Sequence, residues 1–246
     1  PHLTATPTVI VSKRSKPLSR LGAMRSGNKP TDDGNLCIST HEMEELVREE
    51  PSARRFVKRY VGSRELINGG DRWCIWVEPD DANRAMAIEP LKRRFDAVEE
   101  FRRSSRGKQA NDNASTPYRF VFAPHTPGVA LAVPNASSER RPYLPCEVIN
   151  NSTIVSNLAS VVYESPVWNL AIVSSRLHLV WIATVCGKLK TDFRYSNTLG
   201  WHTFPMPPLT EKQKSDLTVC AEEIMLAREA HFPATIAELY DPDAMP

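Results

Sequence analysis

The sequence predicts an α+β fold, a mixed or antiparallel sheet with a long buried helix, followed by a helical C-terminal segment. Three observations carry this expectation. Residues 72–79, RWCIWVEP, set Trp73, Ile75 and Val77 on one face and Cys74 and Trp76 on the other, so the strand is apolar on both sides and central in its sheet. Residues 166–186 place Val167, Leu170, Ala171, Val173, Leu177, Val180, Trp181 and Thr184 at helical spacing, with Pro166 suited to a first turn and Gly187 to a stop. Thr210-x-x-Gln213 is a capping box that opens a last amphipathic helix carrying Leu217, Ala221, Ile224 and Met225.

The remaining elements follow in chain order. An apolar Val9-Ile10-Val11 reads as one strand, and Lys13, Arg14, Lys16 and Arg20 make the rest of residues 1–25 a basic connector from an upstream part. The turn chemistry of SGNKPTDDGNL (26–36) forbids a regular element. Thr40 caps a short helix with Glu42, Glu44 and Glu45 in its first turn, ending before Pro51. Residues 55–61 read as a strand, and Ile67-Asn68-Gly69-Gly70 as a hairpin turn leading into RWCIWVEP. Residues 90–104 form a helix with Leu91, Phe95, Val98 and Phe101 as its stripe and Lys92, Arg93, Arg94, Arg102 and Arg103 on its outer side and ends. Strands are expected at 118–122, 128–133, 144–149 and 153–156. The expected organisation is a connector (1–25), a main domain (26–208) and a helical segment (209–246).

The composition, 41% hydrophobic and 24% charged, is that of a globular chain. No apolar run approaches the ~20 residues that span a bilayer, so a membrane is not expected, and a cytoplasmic setting is. Five scattered cysteines, none spaced as CxxC, read as reduced thiols, and no metal-ligand spacing occurs. The first residue is Pro and the closing DPDAMP ends in mid-course, so the sequence reads as a portion of a longer chain.

Charge is unevenly placed. From Leu209 onward eight acids face only Lys212, Lys214 and Arg228, which leaves the first 208 residues with a basic surplus. Arginine outnumbers lysine 21 to 10, and its planar fork suits phosphate and guanine. This balance permits a nucleic-acid partner.

Catalytic signatures are missing. There is no GxG, hence no glycine-rich cofactor loop, and no GxSxG elbow. Pro79-Asp80 lacks a correctly spaced acid and lysine for a metal nuclease, and Met206-Pro207-Pro208 lacks the polar residue of an amino-methyltransferase motif. No catalytic, cofactor-binding or metal residue is assigned, and the chain reads as a binder. Three clusters suit nucleic acid. Ser137, Ser138, Arg140 and Arg141, with Glu139 orienting an arginine, can grip phosphates. The basic helix around Arg93 to Lys108 is the second, though such faces are more often simply solvated. The third follows the long helix: Lys188, Lys190, Asp192, Arg194, Tyr195 and Ser196. Lys190 can donate to guanine O6 and N7 and Asp192 can accept from cytosine N4. In an extended segment their i, i+2 spacing sets both on one side, with Arg194 continuing it.

SGNKPTDDGNL (26–36), VGSRELINGGDRWCIWV (61–77), VPNASSERRPYLP (133–145), SSRLHLVWIATVCGKLKTDFRYS (174–196), TFPMP (203–207) and LYDPDAMP (239–246) together resemble the large single-chain restriction–modification proteins of the MmeI type (type IIL, within type IIG). The resemblance implies a target recognition domain and the start of a C-terminal segment from a DNA adenine-N6 methyltransferase. Double-stranded DNA and an upstream methyltransferase domain are the implied partners. S-adenosylmethionine would be the cofactor of the parent protein and not of this fragment. Base readout then maps to Lys190, Asp192, Arg194 and Asn157. Phosphate positioning by Ser137, Ser138, Arg140, Arg141, Lys188, Tyr195 and Ser196 is a reading of their chemistry. Trp201-His202-Thr203 and Met206 depart from the family pattern. The competing expectation is a protein-interaction module of a phage-defence complex whose arginines meet an acidic partner.

Overall fold

A computed structural model describes residues 10–245. In chain order the elements are β1 (Met24–Ser26), β2 (Cys37–Ile38), α1 (Thr40–Glu49), β3 (Val57–Val61), α2 (Ser63–Asn68), β4 (Trp73–Ile75), α3 (Ala82–Met86), α4 (Glu89–Ser104) and α5 (Lys108–Asp112). There follow β5 (Ala130–Pro134), β6 (Ala136–Ser137), β7 (Glu147–Ile149), β8 (Thr153–Val155), β9 (Ala159–Tyr163), α6 (Trp168–Ser174), α7 (Arg176–Val185), β10 (Gly187–Leu189), β11 (Asp192–Arg194), α8 (Glu211–Ala230) and α9 (Ile236–Leu239).

The α+β class holds. One antiparallel sheet runs β1-β9-β5-β7, and a mixed sheet runs β2-β4-β3-β8 with β3 and β8 parallel. A small third sheet, β10-β11-β6, hangs from the end of β5. Strand alternation divides the core. Leu131, Val133 and Val162 point into one cluster with Leu170, Ile182, Phe193, Tyr195 and Trp201. Ala130, Ala132, Ala159 and Val161 point into another with Val61 and Val155, which joins the two large sheets. A third cluster packs α4, through Leu91, Phe95 and Val98, on Ile38, Phe56, Tyr60 and Ile75. The capping box of α8 forms as expected, with Thr210 and Gln213 reciprocating, and α8 lays Ala221 and Leu217 against the α6 side of the core.

Several expectations are corrected. The long helix is two helices, because Ser175 turns extended (ψ 148°) and its hydroxyl accepts from the His178 N–H as the cap of α7. Leu177 and Val180, expected inside, are 70% and 61% exposed. Gly69 and Gly70 close α2 instead of a hairpin: the Gly69 N–H donates to the Glu65 carbonyl, and both glycines take a positive φ that other residues rarely adopt. β3 and β4 do pair antiparallel, joined through α2. The cap of α1 is Ser39, one residue early, in a box with Glu42. Residues 118–122 form no strand beyond one bridge of Phe122 to Lys29. Val9 lies outside the described residues, and Ile10 and Val11 are in no strand. β9, central in its sheet, had no expectation.

Arg102 is the largest change of place. It is fully buried, not on the outer side of α4, and all its guanidinium donors meet backbone carbonyls. Nε donates to Thr31, Nη1 to Asn113 and Thr116, and Nη2 to Pro30 and Arg119, at 2.7–3.1 Å. This clamp ties the 26–36 turn region to the loop after α5.

Candidate nucleic-acid interface

The polar stretch after α7 folds into a hairpin. Gly187, Lys188 and Leu189 pair with Arg194, Phe193 and Asp192, and a two-residue turn of Lys190 and Thr191 joins the strands. Lys190 takes φ 56°, in the left-handed region where a non-glycine is uncommon. The premise that Lys190 and Asp192 share one side of an extended segment is therefore corrected: Lys190 stands at the tip. Asp192 and Arg194 do share a face, exposed, with Leu189 opposite Asp192. The other face is held down. Phe193 is buried and pairs with Ser137, and Lys188 Nζ lies 5.4 Å over the Phe193 ring while it bonds Glu139 at 3.1 Å. So Lys188 faces away from Asp192 and Arg194.

Asn157 sits in the turn between β8 and β9. Its N–H donates to the Asn28 carbonyl and its own carbonyl accepts from Asn135 Nδ2 (3.2 Å). The Asn135 carbonyl in turn accepts from Tyr195 N–H at 2.9 Å, so one asparagine ties the Asn157 turn to the hairpin's end. That turn is also fixed from the other side by Asn28, fully buried, whose Nδ2 donates to the Val155 carbonyl and the Tyr163 hydroxyl.

The expected phosphate residues divide. Tyr195 is buried, its hydroxyl 3.1 Å from His178 Nε2, and Ser137 is buried, its hydroxyl accepting from Arg141 Nη1. Both are core residues with no surface to act from, which corrects the expectation for them. Ser138 turns its hydroxyl to the Arg140 N–H, and Ser196 turns its own to Thr198. Glu139 orients Lys188, not an arginine. Arg140 pairs with Asp243 at 2.5 Å. Burial draws the half-buried Arg141 guanidinium below its ordinary range, and the nearby Asp192 and Asp241 draw it back up.

Along α4 the basic residues are spoken for. Arg93 meets Glu49, Arg94 meets Glu42, Lys92 meets Asp96 and Arg103 meets Glu99. A face of matched exposed pairs is a solvated surface and not a free phosphate grip. The partners Asp241 and Asp243 were not foreseen. Their only trace in the sequence is that LYDPDAMP is acidic where the 137–141 turn is basic, and opposite charges a hundred residues apart have no spacing signature.

A mixed α+β body thus carries a short charged hairpin at 187–194, and the comparisons place this architecture. The chain belongs to the MmeI target recognition domain family, whose model matches residues 5–208. It is 36% identical, over all 246 residues, to DNA methyltransferase A of Bacillus subtilis (strain 168), spanning 28% of that protein. It superimposes with a TM-score of 0.93, at 35% identity and over 99% of its length, on a structure of the type IIL restriction–modification enzyme MmeI in complex with DNA, of which it spans 33%. The chain thus spans about a third or less of each relative. Among the described residues no helix is long and apolar enough to cross a membrane.

Proposed function

We propose that the chain is the duplex-DNA recognition module of a class I S-adenosylmethionine-dependent DNA adenine-N6 methyltransferase of a restriction–modification system, working in the cytoplasm. The observation that carries this reading is the 187–194 hairpin, which presents Lys190 at its tip and Asp192 and Arg194 on one exposed face. A two-stranded ribbon fits the major groove, where each base pair offers a distinct donor–acceptor pattern. Arg194 and Lys190 supply donors for guanine O6 and N7, Asp192 an acceptor for cytosine N4, and Asn157 an amide for a neighbouring edge. Arg141, Ser138 and Ser196 flank the hairpin and would set its register on the phosphates. Membership of the target recognition family, and the DNA held by the structural relative, support the assignment.

On this reading residues 26–208 are the recognition body, residues 209–246 brace it, and residues 1–25 lead from a methyltransferase domain. Binding of S-adenosylmethionine and methyl transfer belong to that other domain, which would draw the target adenine out of the duplex. Selection of bound duplexes from a randomised pool tests the proposal. A single recovered motif is expected, with an affinity for it that falls steeply as salt rises. Recovery of no motif, or equal affinity for single-stranded and duplex DNA, would overturn it and favour an acidic protein partner.

A further inference from the structure

We propose that the acidic segment 240–245, which lies beyond the residues matched by the family model, is a positioning part of the recognition hairpin: Asp243 holds Arg140, and the turn so fixed holds the hairpin through Glu139 and Lys188. The inference rests on the reading of the hairpin as the base-contacting element.

The turn at 137–141 has neighbours on both sides. Toward the hairpin, Ser137 pairs with Phe193 and Ala136 with Arg194, Glu139 Oε2 bonds Lys188 Nζ at 3.1 Å, and Arg141 Nη1 donates to the Ser137 hydroxyl. Toward the C-terminal segment, Arg140 meets Asp243, and Arg141 lines a small cleft with Tyr240, Asp241 and Pro242. Tyr240 anchors that segment. It is 7% exposed, lies edge-on to Tyr143 with ring centroids 6.1 Å apart, and its hydroxyl accepts from Arg228 Nη2. Arg228 also donates to the Cys146 carbonyl, so α8 and the strand region after the turn hold the same tyrosine.

The ion pairs are exposed. Arg140 and Asp243 are 66% and 77% accessible, and Lys188 and Glu139 are 44% and 38% accessible. Pairs of this kind contribute little to whether a chain folds. They do decide where a five-residue turn sits when its two flanks are already anchored, and here the buried anchors are Phe193 and Tyr240. The arginine that looks most available for phosphate, Arg140, is thereby assigned to the protein's own carboxylate. The same geometry explains why Lys188 points away from Asp192 and Arg194: its ammonium serves the turn.

Charge exchange tests this in the 246-residue chain. Asp243→Arg and Arg140→Asp are each expected to lower the ratio of affinities for the selected duplex and a duplex changed at one base by about 2- to 5-fold. Each should also speed amide hydrogen exchange across residues 187–194. The double variant Arg140→Asp/Asp243→Arg should restore both readouts toward the wild type. Wild-type ratios and exchange in the single variants, or a double variant no better than Arg140→Asp, would overturn the inference. The second result would return Arg140 to the phosphates, since an aspartate there repels DNA whatever stands at position 243. If the wild-type chain selects no duplex, the hairpin reading itself fails, and the exchange measurement still decides whether the segment holds the turn.

Discussion

His178 Nε2 and the Tyr195 hydroxyl lie 3.1 Å apart in the core beneath the hairpin, with the rings of Trp201 and Phe204 closing round the imidazole. Tyr195 directly follows β11, so this contact seats the root of the hairpin on α7. Burial pushes the His178 imidazole from its ordinary 6.5 down to about 3, and no group that ionises in that interval stacks on it. Folding therefore keeps it neutral, whereas the unfolded chain takes up a proton below pH 6.5. The contribution is intact above 6.5 and is lost as pH falls from 6.5 toward 3, at about 1.4 kcal/mol per pH unit. Urea unfolding between about pH 7 and about pH 5 should show one proton taken up at this site, and His178→Asn should remove it from the slope. An unchanged slope in the variant would show that His178 titrates normally.

Arg102 makes five hydrogen bonds to carbonyls of two loop stretches, residues 30–31 and residues 113–119. Arg102→Met leaves those carbonyls buried without donors and is expected to cost about 3–5 kcal/mol in chemical denaturation. Arg102→Lys should recover little of that, because an ammonium cannot reproduce the planar fork. A loss under about 1 kcal/mol for either would show that water substitutes for the clamp.

Gly27 leaves no space for a side chain. A Cβ there would lie 2.6 Å from the Val155 carbonyl oxygen and would run into the Ser156 carbonyl. These belong to rigid backbone that already bonds Asn28. Gly27→Ala is expected to destabilise the fold by about 1–3 kcal/mol. Because the displaced atoms adjoin Asn157, it should also reduce selectivity for the bound duplex. A variant with wild-type stability would show that the seam between the two large sheets opens freely.

Much of this was legible in the residues. α8 was plain from its capping box, and the strand at 73–75 from apolar residues on both faces. Other features hid behind local signals with two meanings. A Gly-Gly pair ends a helix as readily as it turns a hairpin, and only the helix is realised at Gly69 and Gly70. Ser174 and Ser175 interrupt a run of apolar residues whose period continues through the break, so the pattern reads as one helix where Ser175 caps a second. The 187–194 hairpin lacked the glycine or asparagine that announces such turns, since Lys190 itself adopts the left-handed conformation. Arg102 did leave a trace: Leu91, Phe95, Val98 and Arg102 fall on one helical stripe, yet a charged residue defaults to solvent until its carbonyl partners are known. Of the site, the basic and acidic types at 188–194 were visible, but which share a face followed only from the register. The pairing of Arg140 with Asp243 joins residues too distant for any periodicity to reveal.

The central claim, that the hairpin tip and its exposed face read base edges, is tested most directly by exchanging two of its charges. In the chain carrying Lys190→Glu together with Asp192→Arg, duplex selection should recover a site altered at the base pairs that the hairpin tip and its exposed face meet. The wild-type base pairs should be disfavoured there by about 1–3 kcal/mol per contact. Recovery of the wild-type site with unchanged preference at every position would contradict the account.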